Sequence, residues 1–321
     1  MTTSVAMCTY NGARFLKEQL DSILNQSLPI DEIVICDDGS TDGTIGIIQQ
    51  YINHFPNRIF LHQNSKSLGV CANFARAIEL CTNECIFLAD QDDVWTKDKT
   101  KTIVTYFEQY LDKSVVISNA NLIDESGHSI SDFTLFDVVG LTEQLKYFDR
   151  GFAMEIFLQA NRATGCTMAL RKNIVQSLYI NKNARPNQNI QIHDGCIAMS
   201  AIIQNALGYI DKSLTLYRQH LSQTCGLGNI ILKPWHFPSP IRSLNFKNTS
   251  YGINHPRIDI QQYRSQYIQK KGVLLHIGKY YKVYGMKLMW CVMFNDMCMR
   301  IKCFIKRGIT LIKKLKQLFK L

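Results

Sequence analysis

Over its first 118 residues the chain alternates short apolar runs with amphipathic stretches, and this rhythm restricts the folds open to it more than any other feature. Ser4 to Cys8, Glu32 to Cys36, Arg58 to Leu61, Cys85 to Ala89 and Val115 to Ser118 read as strands. Between them, Arg14 to Asn25, Thr44 to Ile52, Gly69 to Cys81 and Lys99 to Tyr110 carry helical periodicity. Strands separated by helices of this length require right-handed crossovers, so the spacing predicts an α/β domain: a Rossmann-like, mostly parallel sheet with helices on both faces. Ligands of such sheets bind outside the carboxyl ends of the strands.

Those ends are where the sequence turns polar. Strand one runs out at Thr9-Tyr10-Asn11-Gly12, strand two at Asp37-Asp38-Gly39-Ser40-Thr41-Asp42-Gly43, and Ile86-Phe87-Leu88-Ala89 stops on Asp90-Gln91-Asp92-Asp93 ahead of Val94-Trp95. Three carboxylates within four residues repel one another unless a cation sits among them, and closely spaced oxygen ligands suit Mg²⁺ or Mn²⁺. A solvated turn capping the next helix is the plain alternative, since Asp is a favoured N-cap. A calcium loop opening at Asp90 fails, because the sixth and twelfth positions hold Trp95 and Lys101 instead of Gly and Glu. The Asp37 to Gly43 segment reads equally as an ordinary turn, or as acids that accept from a base or ribose hydroxyl. Neither a G-x-G-x-x-G fingerprint nor a P-loop is present, so a bound diphosphate would depend on the cation.

Charge is distributed unevenly. The net charge is +10, but Gln261 to Leu321 holds 14 Lys and Arg against one acid, a local +13, leaving −3 on the first 260 residues. A nucleic-acid partner is therefore not expected for the domain. From Ile301, apolar Phe304, Ile305, Ile309, Ile312, Leu315, Leu318 and Phe319 recur at helical spacing among lysines and Arg307. Such a basic amphipathic helix suits an anionic membrane surface, each cation adding about 1 kcal/mol near the headgroups, and packing on a partner is the alternative. Eleven cysteines without a C-x-x-C pair, and an N-terminus without a signal pattern, predict a cytoplasmic protein, peripheral on the inner face of the plasma membrane.

Past Ser118 the segments become shorter and irregular. Thr164 to Arg171 reads as a strand opening beside Gly165, His193-Asp194-Gly195 opens an apolar helix over Cys196 to Ile203, and a strand over Leu214 to Tyr217 ends in Arg218-Gln219-His220. The expected organisation is a Rossmann-like, nucleotide-binding half over 1–118, a second half of the same domain over 119–228, a linker over 229–256 and a basic helical region over 257–321.

The ordered runs Thr9 to Gly12, Ile33 to Thr44 and Ala89 to Trp95, with Thr164 to Met168, His193-Asp194 and Tyr217 to His220, resemble the family 2 glycosyltransferases. The likeness covers about residues 3 to 226 and is narrower still to the bacterial polysaccharide branch described as rhamnosyltransferase-like. It implies a GT-A fold, a nucleotide-diphosphate sugar donor such as dTDP-rhamnose or a UDP-hexose, Mn²⁺ or Mg²⁺, and inversion at the anomeric carbon. Carried over, Asp37 and Asp38 match acids that hold base and ribose, and Thr9, Tyr10 and Asn11 match the strand end lining the nucleotide. Asp90 and Asp92 match the D-x-D pair, and Asp93 extends it toward the donor sugar. Asp194 matches the general base, with His193 beside it. From the residues alone, His220 could approach the metal or diphosphate or be structural at its strand end, Arg218 could pair with a phosphate under the same alternative, Trp95 could stack on a sugar or pack in the core, and Asp194 could be the N-cap of the helix Cys196 to Ile203. One departure stands out: aromatic residues often follow His-Asp in this branch, whereas Gly195 and Cys196 stand here, so the acceptor pocket is expected to differ in shape.

The residues' own chemistry agrees. Inversion needs one in-line displacement with a base opposite the leaving group, typically worth about 10²- to 10⁴-fold. Asp194 is the only acid between Glu155 and Asp211. A saccharide acceptor, possibly lipid-linked, would fit a membrane-held enzyme. A sugar nucleotidyltransferase should carry a Gly- and Arg-rich loop where Thr9 to Ala13 stand, and a non-catalytic saccharide- or nucleotide-binding subunit would not need the full acid set.

Overall fold

The computed structural model describes residues 1–159, 161–178, 180, 182 and 192–223. The chain divides after His255, and all described residues lie in the first unit. The expected linker and basic tail, and nearly all of the polar loop after Ile180, fall outside the described residues.

The alternating pattern folds as its spacing dictates. β1 (Thr3–Thr9), β2 (Glu32–Asp37), β3 (Ile59–Gln63) and β4 (Cys85–Ala89) pair in parallel in the order β3-β2-β1-β4, linked by α1 (Leu16–Leu24), α2 (Thr44–His54) and α3 (Val70–Leu80). β2 and β4 are buried along their whole length, as continuous apolar runs covered on both faces should be. Leu16, Leu20 and Ile23 give α1 its buried stripe. The order reverses at β1, so the crevice expected at such a switch point opens over the ends of β1 and β4.

Beyond β4 come the two-residue β5 (Val94–Trp95), α4 (Lys99–Gln109), β6 (Val115–Ile123) and β7 (Ser129–Thr134). Then follow α5 (Leu135–Val138), α6 (Leu145–Phe148), α7 (Ala153–Gln159), β8 (Met168–Arg171), α8 (His193–Ile203) and β9 (Leu207–Arg218). The sheet continues β4-β8-β6-β9-β5, with β7 on β6. β8 runs against both β4 and β6, and β9 runs with β6, so β1, β2, β3, β4, β6 and β9 all point one way. The sheet is mostly parallel, as the sequence predicts.

Several differences have physical reasons. β6 and β9 are longer than the apolar runs Val115 to Ser118 and Leu214 to Tyr217. Asn119 keeps β6 going because its buried amide donates to Thr134 Oγ1 (3.0 Å) and Asp211 Oδ1 (2.9 Å), and the register between the two strands shifts around it. Gly165 to Thr167 form a 3₁₀ turn, so β8 starts at Met168. The short helices α5 to α7 carry too few turns for periodicity to reveal. α5 is fixed instead by a capping box in which Thr134 and Asp137 satisfy each other's backbone.

Candidate functional site

Register brings the polar ends together. Thr9 pairs with Asp37 and Met7 with Ala89, so Asp37 and Asp90 flank the end of β1. Thr9 Oγ1 donates to Asp37 Oδ2 at 2.8 Å, and Asp37 also accepts from the Gly39 and Ser40 amides and the Ser40 hydroxyl. Asp38 accepts from Asn64 Nδ2, Ser67 Oγ and the Leu68 and Gly69 amides, all between 2.7 and 2.9 Å. Both carboxylates thus build the crevice wall by holding loops, and any nucleotide hydroxyl must share or displace those donors. Asn11 adopts φ +48°, a left-handed conformation Asn tolerates, and its side chain accepts from the Thr41 amide at 2.8 Å. Tyr10 stands on the rim, 53% exposed. Gln91, whose role sequence reasoning missed, accepts from the Tyr10 amide (2.8 Å) and donates to the Tyr10 carbonyl (3.0 Å). Buried Gln19 donates to the Asp90 carbonyl at 2.9 Å.

The acidic run splits into two groupings. Asp92 Oδ2 and His220 Nε2 are 2.8 Å apart, and the His220 ring leans on Phe15. Asp90, Asp93 and Cys166 each offer a ligand atom within 4.8 Å of the others. Burial, then repulsion from Asp93 and Asp92, pushes the Asp90 carboxyl well above the usual carboxylate range. Burial and the neighbouring Asp92 push Asp93 up to about 7. Lys99 lies close enough to these acids to counter part of their charge. It is a fully buried ammonium donating to the Cys166 carbonyl (2.7 Å) and Thr215 Oγ1 (2.8 Å), with Nζ 4.1 Å from the centre of the Trp95 ring. Burial lowers its pKa to about 8. Its position i, i+4 to Ile103 on the buried face of α4 was the available sequence signal.

Two expected ligand contacts are corrected. Trp95 is 3% exposed and packs at a tilt against Phe87, so it belongs to the core and offers no face to a sugar. Arg218 is 1% exposed, and its guanidinium is committed to the carbonyls of Asp92 (2.7 Å), Asp124 (3.1 Å) and Glu125 (3.2 Å) and to the Glu18 carboxylate (2.5 Å). It is a bolt holding the acidic loop, with no donor fork left over for a phosphate.

Asp194 is in the first turn of α8, one residue inside a helix whose N-cap is Ile192, so its carboxylate is not the cap. It accepts from Asn161 Nδ2 (2.9 Å) and the Gly195 amide (2.5 Å). Burial raises its pKa, and Asp90 is near enough for the two charges to interact. His193 stacks on Phe74 (4.2 Å between centroids, 15°), and burial lowers its pKa. Gly165 makes room for that ring, since a Cβ there would come within 2.7 Å of His193 Nε2.

The donor set suits a hard divalent cation: Asp90, Asp92 and Asp93 offer carboxylate oxygens, and Asp93 Oδ2 is buried without a hydrogen-bond donor. Asp92 and His220 pair with side chains 13% and 5% exposed, and Cys166 is fully buried beside Asp93.

Residues 4–207 match the profile described as glycosyl transferase family 2. This chain belongs to that family. The dTDP-rhamnosyl transferase RfbG of Shigella flexneri is 32% identical over 234 residues, covering 71% of this chain and 75% of its own. The abequosyltransferase RfbV of Salmonella typhimurium is 35% identical over 115 residues, 35% of this chain and 34% of its own. Among solved structures, TarS of S. aureus in complex with UDP-GlcNAc superposes with a TM-score of 0.52 at 19% identity, over 70% of this chain and 60% of that one. The family 2 member described here thus has the GT-A type of fold expected from its sequence.

Proposed function

We propose that this family 2 member is an inverting, metal-dependent glycosyltransferase. It would move a sugar from dTDP-rhamnose or a UDP-hexose to a hydroxyl of a saccharide acceptor, lipid-linked, in cell-surface polysaccharide assembly. The observation that carries this reading is the meeting of three strand ends with the first turn of α8, where buried Asp194 lies near enough to Asp90 for their charges to interact. The rhamnosyl relative supports the donor class.

In this mechanism Tyr10 and Asn11, with loops held by Asp37 and Asp38, receive the nucleotide. Asp90 and Asp92, with His220 beside Asp92, would hold Mn²⁺ or Mg²⁺, which would neutralise charge on the leaving diphosphate. The acceptor oxygen forms its bond to the anomeric carbon as the bond from that carbon to the diphosphate oxygen breaks. Asp194 takes the acceptor proton, and the nucleoside diphosphate leaves with the electron pair. A carboxyl raised by burial is a stronger base than an exposed one, and His193, stacked on Phe74 with its Nε2 edge against Gly165, would keep it aimed. The basic tail, outside the described residues, would hold the enzyme at an anionic bilayer near its acceptor.

The deciding experiment supplies UDP-, dTDP- and GDP-sugars with Mn²⁺ or Mg²⁺ and monitors release of nucleoside diphosphate in the wild type, Asp92→Ala and Asp194→Asn. Turnover by the wild type alone is expected. Full turnover in Asp92→Ala would overturn the metal assignment, and full turnover in Asp194→Asn the base.

A further inference from the structure

A second cavity lies far from the acids. It encloses about 490 Å³ between the end of α4, the segment joining α6 to α7, the end of α8 and the start of β9. β9 begins here at Leu207 and ends at Arg218 against Asp93, so at about 3.3 Å per residue the cavity is up to roughly 35 Å from the acidic corner. The two sites lie toward opposite ends of β9.

Its lining has a definite chemistry. Tyr106 and Tyr110 stand as a tilted pair 4.6 Å apart, and Phe148 meets Tyr209 edge-on at 5.1 Å. The Tyr209 hydroxyl donates to the Asp149 carboxylate (2.9 and 3.0 Å to its two oxygens), fixing an exposed acid that retains lone pairs for further donors. Tyr110 is 48% exposed. Gly208 is part of the construction, because a Cβ on it would collide with the Tyr106 hydroxyl and push the ring from the strand. The Lys113 ammonium is already shared by Asp112 Oδ2 (2.9 Å) and the Asn205 carbonyl (3.1 Å).

Aromatic rings present flat apolar faces to the C–H side of a pyranose, while a carboxylate and phenols bond its hydroxyls. A phosphate would meet the Asp149 charge with the one cation of the lining, Lys113, already engaged, and a purely apolar ligand would strand that carboxylate. We propose that this cavity is a second saccharide-binding site, taking a neutral pyranose segment well away from the bond being made. The inference rests on the reading that the chain acts on saccharides, and deepens it: an elongated acceptor would be held at two points, raising its effective concentration at the catalytic edge.

Saturation-transfer-difference NMR on the full chain, with methyl α-L-rhamnopyranoside and methyl β-D-glucopyranoside as probes, tests this. Ring-proton signals from at least one probe should weaken about fivefold in Tyr110→Ala and in Asp149→Asn, and persist in Asp194→Asn. Both cavity residues are exposed, and an unchanged melting curve confirms that the variants fold. Signals of equal strength in wild type and both cavity variants, or no signal from either probe, would overturn the proposal. Nucleotide-sugar turnover measured on the same samples separates the two readings. Absent turnover with cavity-dependent signals strikes the transferase assignment alone, and intact turnover with cavity-independent signals strikes only the second site.

Discussion

The backbone N–H of Arg218 donates to Oδ1 of Asp93 at 3.0 Å across 125 residues of sequence. The same residue's guanidinium holds the Asp92 carbonyl, so the last residue of β9 grips the acidic loop from both its main chain and its side chain. Arg218→Met keeps the amide contact and removes every guanidinium contact. We expect a loss of about 3 kcal/mol in denaturant unfolding, because three carbonyls and a carboxylate lose their donors. Wild-type stability with abolished nucleotide binding would instead assign Arg218 to the ligand.

The acidic corner sets a pH dependence. Asp93 is raised from its ordinary 3.8 to about 7, and burial raises Asp90 and Asp194 as well. A raised folded pKa means that the unfolded chain releases its protons first. The stability tied to Asp93 is therefore fully present below about 4 and falls as pH climbs through about 7, and Asp90 and Asp194 act in the same direction. Buried His193 acts in the opposite sense, since its pKa is lowered. Comparison with Asp93→Asn isolates the carboxyl. Chelator-treated wild type should lose more melting temperature than this variant between pH 5 and pH 8, and Mn²⁺ or Mg²⁺ at pH 8 should restore part of the loss. Identical pH profiles for the two proteins would refute the effect.

Gly165 tests the aim of the base. A methyl group there meets the Nε2 edge of the His193 ring while Phe74 closes one of its faces, so the ring and Asp194 beside it must move. Gly165→Ala should lower kcat by about 10- to 100-fold, the cost of misplacing a catalytic group by a fraction of an ångström or more, while donor KM stays within error. Steady-state kinetics with saturating acceptor decides it, and an unaltered kcat sinks the assignment.

The tail prediction is independent of the site. Deleting Lys302 to Leu321 should shift the protein from sedimenting with anionic vesicles to remaining in the supernatant, with about 1 kcal/mol lost per removed cation near the headgroups. Equal sedimentation of the two forms would leave the membrane without a role.

The sheet and the acidic corner were legible for the same reason. Buried parallel strands must be apolar throughout, so the polar residues after Thr9, Cys36 and Ala89 marked both the strand ends and the crevice. What escaped was whatever depends on residues distant in sequence. Trp95 and Arg218 belong to residue types that bind ligands readily, yet Phe87 and Glu18, Asp92 and Asp124 claim them, and no local pattern announces such partners. Lys99 had a signal, a charge on an apolar stripe, whereas Cys166 beside Asp93 had none. The polar breaks in β6 and β9 hid strand continuity, because buried Asn119 finds its partner in exposed Asp211 of the neighbouring strand.

The paired hydrogen bonds between Gln91 and the Tyr10 backbone act as a hinge pin in reverse, joining two loops that could otherwise swing apart. Gly12 is shaped around that pin, since a side chain on it would strike the Gln91 amide. The end of β1 and the acidic run, the proposed floor for the nucleotide and ledge for the diphosphate, are therefore joined as one part. On that proposal a donor held by the first is presented to the second at a fixed angle, and a change of sugar preference has to come from the loops beyond this corner.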